Sequence, residues 1–344
     1  MTFIDVPHFL ACPECQGVHF VISSRAACRF RGFETDIGIM CETCSRVFPF
    51  VDDIFVMWSD ELRELVASPD AMCVNVKSAN LRVYDEVARD HQGHVKQSTP
   101  HGHTDLLRAY RNLVTSLYRS NVGPKSVLAD IGCATAEEID CIPADWQAVA
   151  IDISMSNLRS VVSRRAIKIF GDAERLPLKA GSVSAIVCFA AIHHFPHLHQ
   201  FFRGCKRVLT TRGGLLVAME PHSRGLPRGP LAAFVFFLRK PLYRWLARLG
   251  FGNHFHTDAE IQRLNDIAEV QRSKGGFTKE SLTALLHSCG LKIVKCWLGP
   301  DFYNQKTWVL PSLKHLIITS LSLRNPFSLL NSPSISVLAA PADD

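Results

Sequence analysis

Two short apolar runs constrain this chain more than any other feature. Val127–Glu138 reads VLADIGCATAEE, and Ala148–Ser154 reads AVAIDIS. The first is an apolar strand with an acid near its end, then a tight turn of small residues, then a helix. The second is another apolar strand ending in an acid, Asp152, twenty residues after Gly132. Strand, small-residue turn, helix, strand is the repeating unit of a doubly wound α/β sheet. Its first turn brings backbone close to a ligand, and its second acid faces the ribose hydroxyls of a nucleotide.

The following residues extend the pattern. Ile169–Asp172 (IFGD), Leu176–Leu178 (LPL) and Ser182–Phe195 (SVSAIVCFAAIHHF) read as strand, acid, turn, strand and polar rim. His197–Leu209 is a helix candidate, and Gly213–Pro221 (GGLLVAMEP) a turn with a fifth strand. Phe277–Gly290 (FTKESLTALLHSCG) is a Thr-capped amphipathic helix with a glycine at its stop. Two strand candidates follow, Leu291–Leu298 and Ser334–Ala340.

This succession, over roughly 125–340, resembles the class I S-adenosylmethionine (SAM) methyltransferases, in their quinone-biosynthesis-like branch. The family's usual text is an acid, a spacer and G-x-G-x-G. Here Gly132 is kept, while Ala134 and Ala136 stand at the other two positions. Each alanine adds a methyl group where backbone should approach the ligand, and resists the positive φ that glycine accepts. The resemblance implies a Rossmann-like, seven-stranded α/β domain over 122–344 with SAM as cofactor. It implies cofactor contacts from Asp130, Gly132, Ala134, Asp152, Ile153, Asp172, Ala173 and Phe189, with Asp172 on the adenine amine.

Methyl transfer from a sulfonium asks mainly that an electron-rich atom be held in line with the methyl group. A general base helps where the nucleophile must lose a proton. The catalytic candidates are His193 and His194, at the end of the fourth strand, and Glu220, directly after the fifth. His222, His254 and His256 are further ones, and Tyr84, in YDEVA, resembles the aromatic found ahead of the SAM site. Cys133, Cys188 and Cys205 read as packing residues.

The amino-terminal 1–58 carries a different signal. Cys12 and Cys15 sit in CPEC, Cys41 and Cys44 in CETC, with 25 residues between the pairs. Two such turns supply the four thiolates of a closed tetrahedral Zn²⁺ site. The text, with Phe48, Pro49, Asp52 and Ile54, resembles the zinc ribbon of the small activator subunit that supports tRNA- and protein-modifying methyltransferases. Four thiolates leave no open position, so the metal is expected to be structural. A redox dithiol is the weaker alternative, since neither motif precedes a helix of a βαβ unit. So small a module buries little core, and the ion should supply most of its stability. On this reading the ribbon can be lost with the larger domain left more intact.

A helical linker or cap is expected over 59–121, with Leu106, Leu107, Tyr110, Leu113, Val114, Leu117 and Tyr118 forming a helical stripe. His91, His94, His101 and His103 read as a solvated loop rather than a metal site. The region 222–275 reads as an inserted lid. Within it Leu231–Phe251 mixes a Phe-rich half with Arg239, Lys240, Arg244 and Arg248. A lid closing on the acceptor is the preferred reading, and a peripheral membrane contact through 221–257 the alternative. The tail 314–333 is again apolar and free of acids.

Charge and compartment narrow the function. The net charge of +6 splits into an acidic ribbon, at −3, and a basic remainder, at +9. No run reaches the roughly 18 apolar residues of a membrane span, and the first residues lack a secretory pattern. A cytoplasmic protein is expected, whose twelve cysteines are thiols or metal ligands. The leading expectation is a SAM-dependent methyltransferase acting on a small, partly apolar or lipid-like metabolite. An RNA-modifying methyltransferase is the second reading, disfavoured because the ribbon is net acidic and phosphate binding wants clustered Lys and Arg. A partner protein or enzyme of different chemistry on the same fold is the third, motivated by Ala134 and Ala136.

Overall fold

The computed structural model describes residues 5–24, 28–30, 33–35, 37–67, 75–91, 126–136, 139, 142–223, 259–299 and 334–342. In chain order the strands are β1 (Phe20–Ser23), β2 (Cys28–Phe30), β3 (Phe33–Thr35), β4 (Gly38–Cys41), β5 (Val47–Val51) and β6 (Ile54–Met57). Two helices follow, α1 (Asp60–Ala67) and α2 (Val76–His91). Then come β7 (Val127–Ile131), β8 (Gln147–Asp152), α3 (Met155–Ser160), β9 (Ala166–Gly171), β10 (Val183–Phe189), α4 (Leu198–Val208) and β11 (Leu209–Pro221). The last described elements are α5 (Ala259–Ala268), α6 (Val270–Ser273), α7 (Lys279–Ser288), β12 (Leu291–Gly299) and β13 (Ser334–Pro341).

The local signals act as their chemistry requires. Thr278 caps α7 by accepting from Ser281 N, and Ser281 Oγ accepts in turn from Thr278 N, a reciprocal capping box. Gly290 ends that helix at φ +75°, in the left-handed region. All five residues of β7 are buried, as in a parallel strand covered on both faces.

Eleven strands form one sheet in the order β1-β4-β5-β6-β9-β8-β7-β10-β11-β13-β12, and β2 and β3 make a separate hairpin. From β6 to β11 every neighbouring pair is parallel; β13 runs antiparallel to both β11 and β12. The strand order reverses between β7 and β10. At such a switch point the two following connections diverge to opposite faces and leave a crevice at the carboxyl ends of the strands.

The ribbon is not a bead ahead of a seven-stranded sheet, as the sequence led us to expect. Strand β6 pairs in parallel with β9, from Ile54↔Lys168 to Met57↔Gly171. A second seam joins Phe9–Ala11 to the loop after β9, through Ala11 N→Pro177 O at 3.1 Å and Lys179 N→Phe9 O at 2.8 Å. One continuous hydrophobic core runs from Phe9, Ile39 and Phe48 of the ribbon to Val337 and Ala339 of β13. The physical reason is edge chemistry: β9 would otherwise present a row of unpaired backbone groups.

Helix α2 packs on α5 through a small satellite cluster of Ala79, Val83, Leu264 and Ala268. His91 is the last residue of α2 rather than part of a loop. His94, His101 and His103, the stripe at 106–118, the basic stretch 231–251 with His254 and His256, and the tail 314–333 lie outside the described residues. Among the described residues no helix is long and apolar enough to cross a membrane.

Candidate cofactor site and metal centre

The turn after β7 is built as a close approach. Gly132 has φ +68°, and a Cβ there would lie 2.7 Å from the Ala191 Cβ, so this position needs glycine on two counts. Its N–H donates to Ile151 O at 2.9 Å, tying the turn to β8. Ala134 and Ala136 adopt φ +46° and +51°. The two alanines therefore keep the left-handed backbone that glycine would take, and bear its cost. Asp152 closes the loop from the neighbouring strand end: Oδ2 accepts from Ala134 N at 3.0 Å and Oδ1 from Ser154 N at 2.7 Å. Burial pushes the Asp152 carboxyl up to about 6, against those same amide donors, which favour its charged form.

The other cofactor candidates line the same edge. Gly132, Ile153, Ala173 and Phe189 are half-buried and Ala134 is exposed, at the carboxyl ends of β7, β8, β9 and β10. Asp130 is buried beneath them, at 1% exposure. Asp172, at the end of β9, has a partner that local sequence does not announce. Its Oδ1 caps the next turn through Glu174 N at 2.8 Å, and its Oδ2 accepts from Lys77 Nζ of α2 at 2.8 Å. Lys77 also reaches Glu174 at 2.9 Å and Glu61 at 3.1 Å. Burial opposes its charge, but Asp172 and Glu174 outweigh that and hold its pKa above the ordinary lysine value. Asp172 is thus neutralised from within the chain, and an adenine amine would share it with Lys77.

The rim after β10 is held from below by Glu220. That carboxylate is wholly enclosed, at 0% exposure. Its Oε1 accepts from Ala191 N at 2.9 Å and Ile192 N at 3.0 Å; its Oε2 accepts from His193 N at 3.2 Å and His193 Nδ1 at 2.8 Å. Burial raises its pKa to about 7, with the three amides pulling the other way. Glu220 was expected to stand among the catalytic groups. Its four bonds and lack of surface leave it holding the rim backbone and the His193 ring in place. Burial lowers His193 to about 4 and His194 to about 3, so both rings are neutral near pH 7.

His194 is fully engaged as well. Its Nδ1 pairs with Ala268 O at 3.0 Å and its Nε2 with Tyr84 Oη at 2.6 Å; Asn80 Nδ2 donates to its carbonyl at 3.0 Å. Tyr84 therefore reaches this rim, edge-on to the His194 ring with centroids 5.2 Å apart. Asp85, one residue on, accepts from Ser154 Oγ at 2.7 Å at the start of α3. Lys77, Asn80, Tyr84 and Asp85 thus fasten one helix over three strand ends, those of β8, β9 and β10. Of these only Tyr84 carried a readable signal, because the rest of α2 resembles any polar helix. His222 is buried, and its backbone bridges to Phe277.

In the ribbon the two C-x-x-C turns are near copies. In each, the first cysteine's N–H donates five residues on, to Gly17 O at 2.8 Å or Arg46 O at 2.9 Å. Its carbonyl accepts from the residue four on, Gln16 at 2.9 Å or Ser45 at 2.8 Å, both at φ +59°. The sulfurs of Cys12 and Cys44 lie 3.7 Å apart, and those of Cys15 and Cys41 3.6 Å. That is far beyond a disulfide. It matches the roughly 3.8 Å edge of a tetrahedron with metal–sulfur bonds of about 2.3 Å. All four sulfurs lie within 4.8 Å of one another.

A doubly wound sheet with a small-residue turn at its switch point, an acid on the next strand and a polar rim beside it is the architecture of a methyltransferase domain. The family model described as "Methyltransferase domain" matches residues 129–217, the segment from β7 to β11. The malonyl-[acyl-carrier protein] O-methyltransferase of Methylovorus sp. (strain MP688) is 31% identical over 109 residues, 28% of this chain and 36% of that protein. The match therefore spans about a third of the relative's length. Among solved structures, the magnesium protoporphyrin IX methyltransferase of Synechocystis PCC 6803 with bound SAH is 11% identical, with a TM-score of 0.45 over 78% of this chain and 100% of that one. The complex of the Haloferax volcanii Trm112 methyltransferase activator with a methyltransferase is 9% identical, with a TM-score of 0.46 over 77% and 98%. The fold assignment rests on the strand order and the matched segment.

Proposed function

We propose that this chain is a SAM-dependent methyltransferase of the quinone-biosynthesis-like branch, acting on a small, partly apolar or lipid-like acceptor, with a structural zinc ion in its ribbon. The observation that carries the reading is the turn after β7. It keeps left-handed backbone at residues 132, 134 and 136 although two of them are alanine. A chain bears that strain where something must approach the backbone closely.

SAM would supply an electrophilic methyl group on sulfur. The chain's residues do the rest. Asp152 offers ribose hydroxyls the lone pairs left on its two oxygens, and Ile153, Ala173 and Phe189 offer apolar surface to the adenine. Glu220 holds the rim in place and sets the tautomer of His193, leaving Nε2 as an acceptor or general base. The thiolates of Cys12, Cys15, Cys41 and Cys44 hold the zinc with no position open to substrate. The basic stretch within 222–275 is the acceptor lid, in a cytoplasmic protein, and a membrane-surface role for it is the alternative.

Calorimetry of SAM binding to the full chain, followed by a methyl-release assay, tests the core of this. Asp152→Ala should lose about ten- to hundred-fold in SAM affinity, since a hydrogen bond to a charged group contributes about 1.5–3 kcal/mol. Wild-type protein that fails to bind SAM sinks the proposal. Metal analysis should find one zinc per chain.

A further inference from the structure

Hydrogen-bond accounting at the rim leaves two acceptors facing each other. Glu220 Oε2 takes the proton of His193 Nδ1, so His193 Nε2 carries a lone pair. Another acceptor lies beside that nitrogen: Glu269 Oε2, at 3.7 Å. Glu269 stands between α5 and α6, and Arg272 engages its other oxygen at 2.9 Å. Oε2 is buried and accepts no hydrogen bond among the described residues. Both nitrogens of His194 are already matched, by Tyr84 and Ala268.

We propose that His193 Nε2 and Glu269 Oε2 form the seat of the methyl acceptor, and that this acceptor is a primary amine. This rests on the methyltransferase reading above and adds the substrate class to it. A neutral primary amine has two N–H bonds and one lone pair. With N–H donors at about 2.9 Å from each acceptor, one nitrogen spans the 3.7 Å gap and satisfies both. Its lone pair then points away from the two acceptors, free to meet the methyl group. An alcohol has a single hydrogen and leaves one buried acceptor unmatched, a penalty that discriminates strongly in enclosed sites. The amine sheds its ammonium proton to solvent before entry. Its lone pair forms the new N–C bond as the S–C bond breaks, with that electron pair staying on sulfur. The product carries the positive charge as a methylammonium ion. Position supports the role: the rim that bears His193 packs, through Ala191, against Gly132 of the turn after β7.

The test uses the full chain saturated with S-adenosylhomocysteine and a shape-matched pair of probes, benzylamine and benzyl alcohol, at alkaline pH. Calorimetry should show the amine bound at least about tenfold more tightly, the equivalent of about 1.4 kcal/mol. Glu269→Gln should bring the two probes within about twofold while S-adenosylhomocysteine affinity is unchanged. If Glu269→Gln does not fold, Glu269→Asp, which withdraws the carboxylate by one methylene, should weaken the amine preference in the same direction. Equal binding of the probes, or no binding of either, overturns the amine seat. So does a divalent ion, Mn²⁺ or Zn²⁺, taken up beyond the ribbon's own and lost in Glu269→Gln; His193, His194 and Glu269 lie close enough for that outcome to be real. Wild-type protein that does not bind S-adenosylhomocysteine instead sinks the methyltransferase reading.

Discussion

Ala134 shows how a departure from a motif can leave the motif's backbone intact. Its φ of +46° belongs to the left-handed region, which costs a residue with a Cβ roughly 1–2 kcal/mol. Its methyl group is exposed and repays nothing by burial. Ala134→Gly should therefore stabilise the protein by about 1 kcal/mol, a rise of roughly 2 °C in thermal unfolding. Ala136→Gly should be nearly neutral, because its methyl is buried and is worth about 0.8 kcal/mol. A destabilised Ala134→Gly would show that the turn is not strained. Asp152 gives a pH dependence whose sign is fixed by its role. In the proposed ribose contact only the carboxylate would accept from two hydroxyls, and burial places its pKa at about 6. SAM affinity should be full above that value and fall as pH drops through it. In Asp152→Asn affinity should be low and flat across the same range. An affinity that rises on acidification would remove the assignment.

Helix α2 is the element whose importance exceeds its sequence signal. Lys77 has three carboxylate partners, and two of them, Asp172 and Glu174, are buried with it. Removing one member of a buried ionic cluster leaves uncompensated charge, typically costing about 3–5 kcal/mol. Lys77→Met should be strongly destabilising in chemical denaturation, and more so than an exposed change such as Glu64→Met on α1. Equal effects of the two would mean that the cluster is no more than a surface network.

At the scale of the molecule, the shared sheet and core make the ribbon part of one folding unit. A single cooperative transition is expected in calorimetry. Cys12→Ser should lower the midpoint of that whole transition, rather than melting 1–58 ahead of an unaffected remainder. Hydrogen exchange should quicken on both sides of the seam, at 54–57 and at 168–171. Two separate transitions, the second insensitive to metal removal, would restore the independent module that the sequence suggested.

Much of this could be read in the chain itself, because the information is local. Gly132 before an alternation of small residues, Asp152 at the end of the next apolar run, the Thr278 cap and the paired C-x-x-C turns each act within a few residues. Backbone sterics and hydrogen bonding decide them wherever they occur. What required the tertiary structure is everything joined across the sheet. Lys77 and Asp172 stand 95 residues apart and meet within 2.8 Å. Glu220 lies 27 residues beyond the His193 ring that it orients, and Glu269 comes to that ring from a separate helix pair. Strand β6 completes an edge, that of β9, whose need for a partner exists only once the sheet has formed. Side chains of these types are common throughout the chain. Only the strand order, settled by burying one core, selects which of them become neighbours.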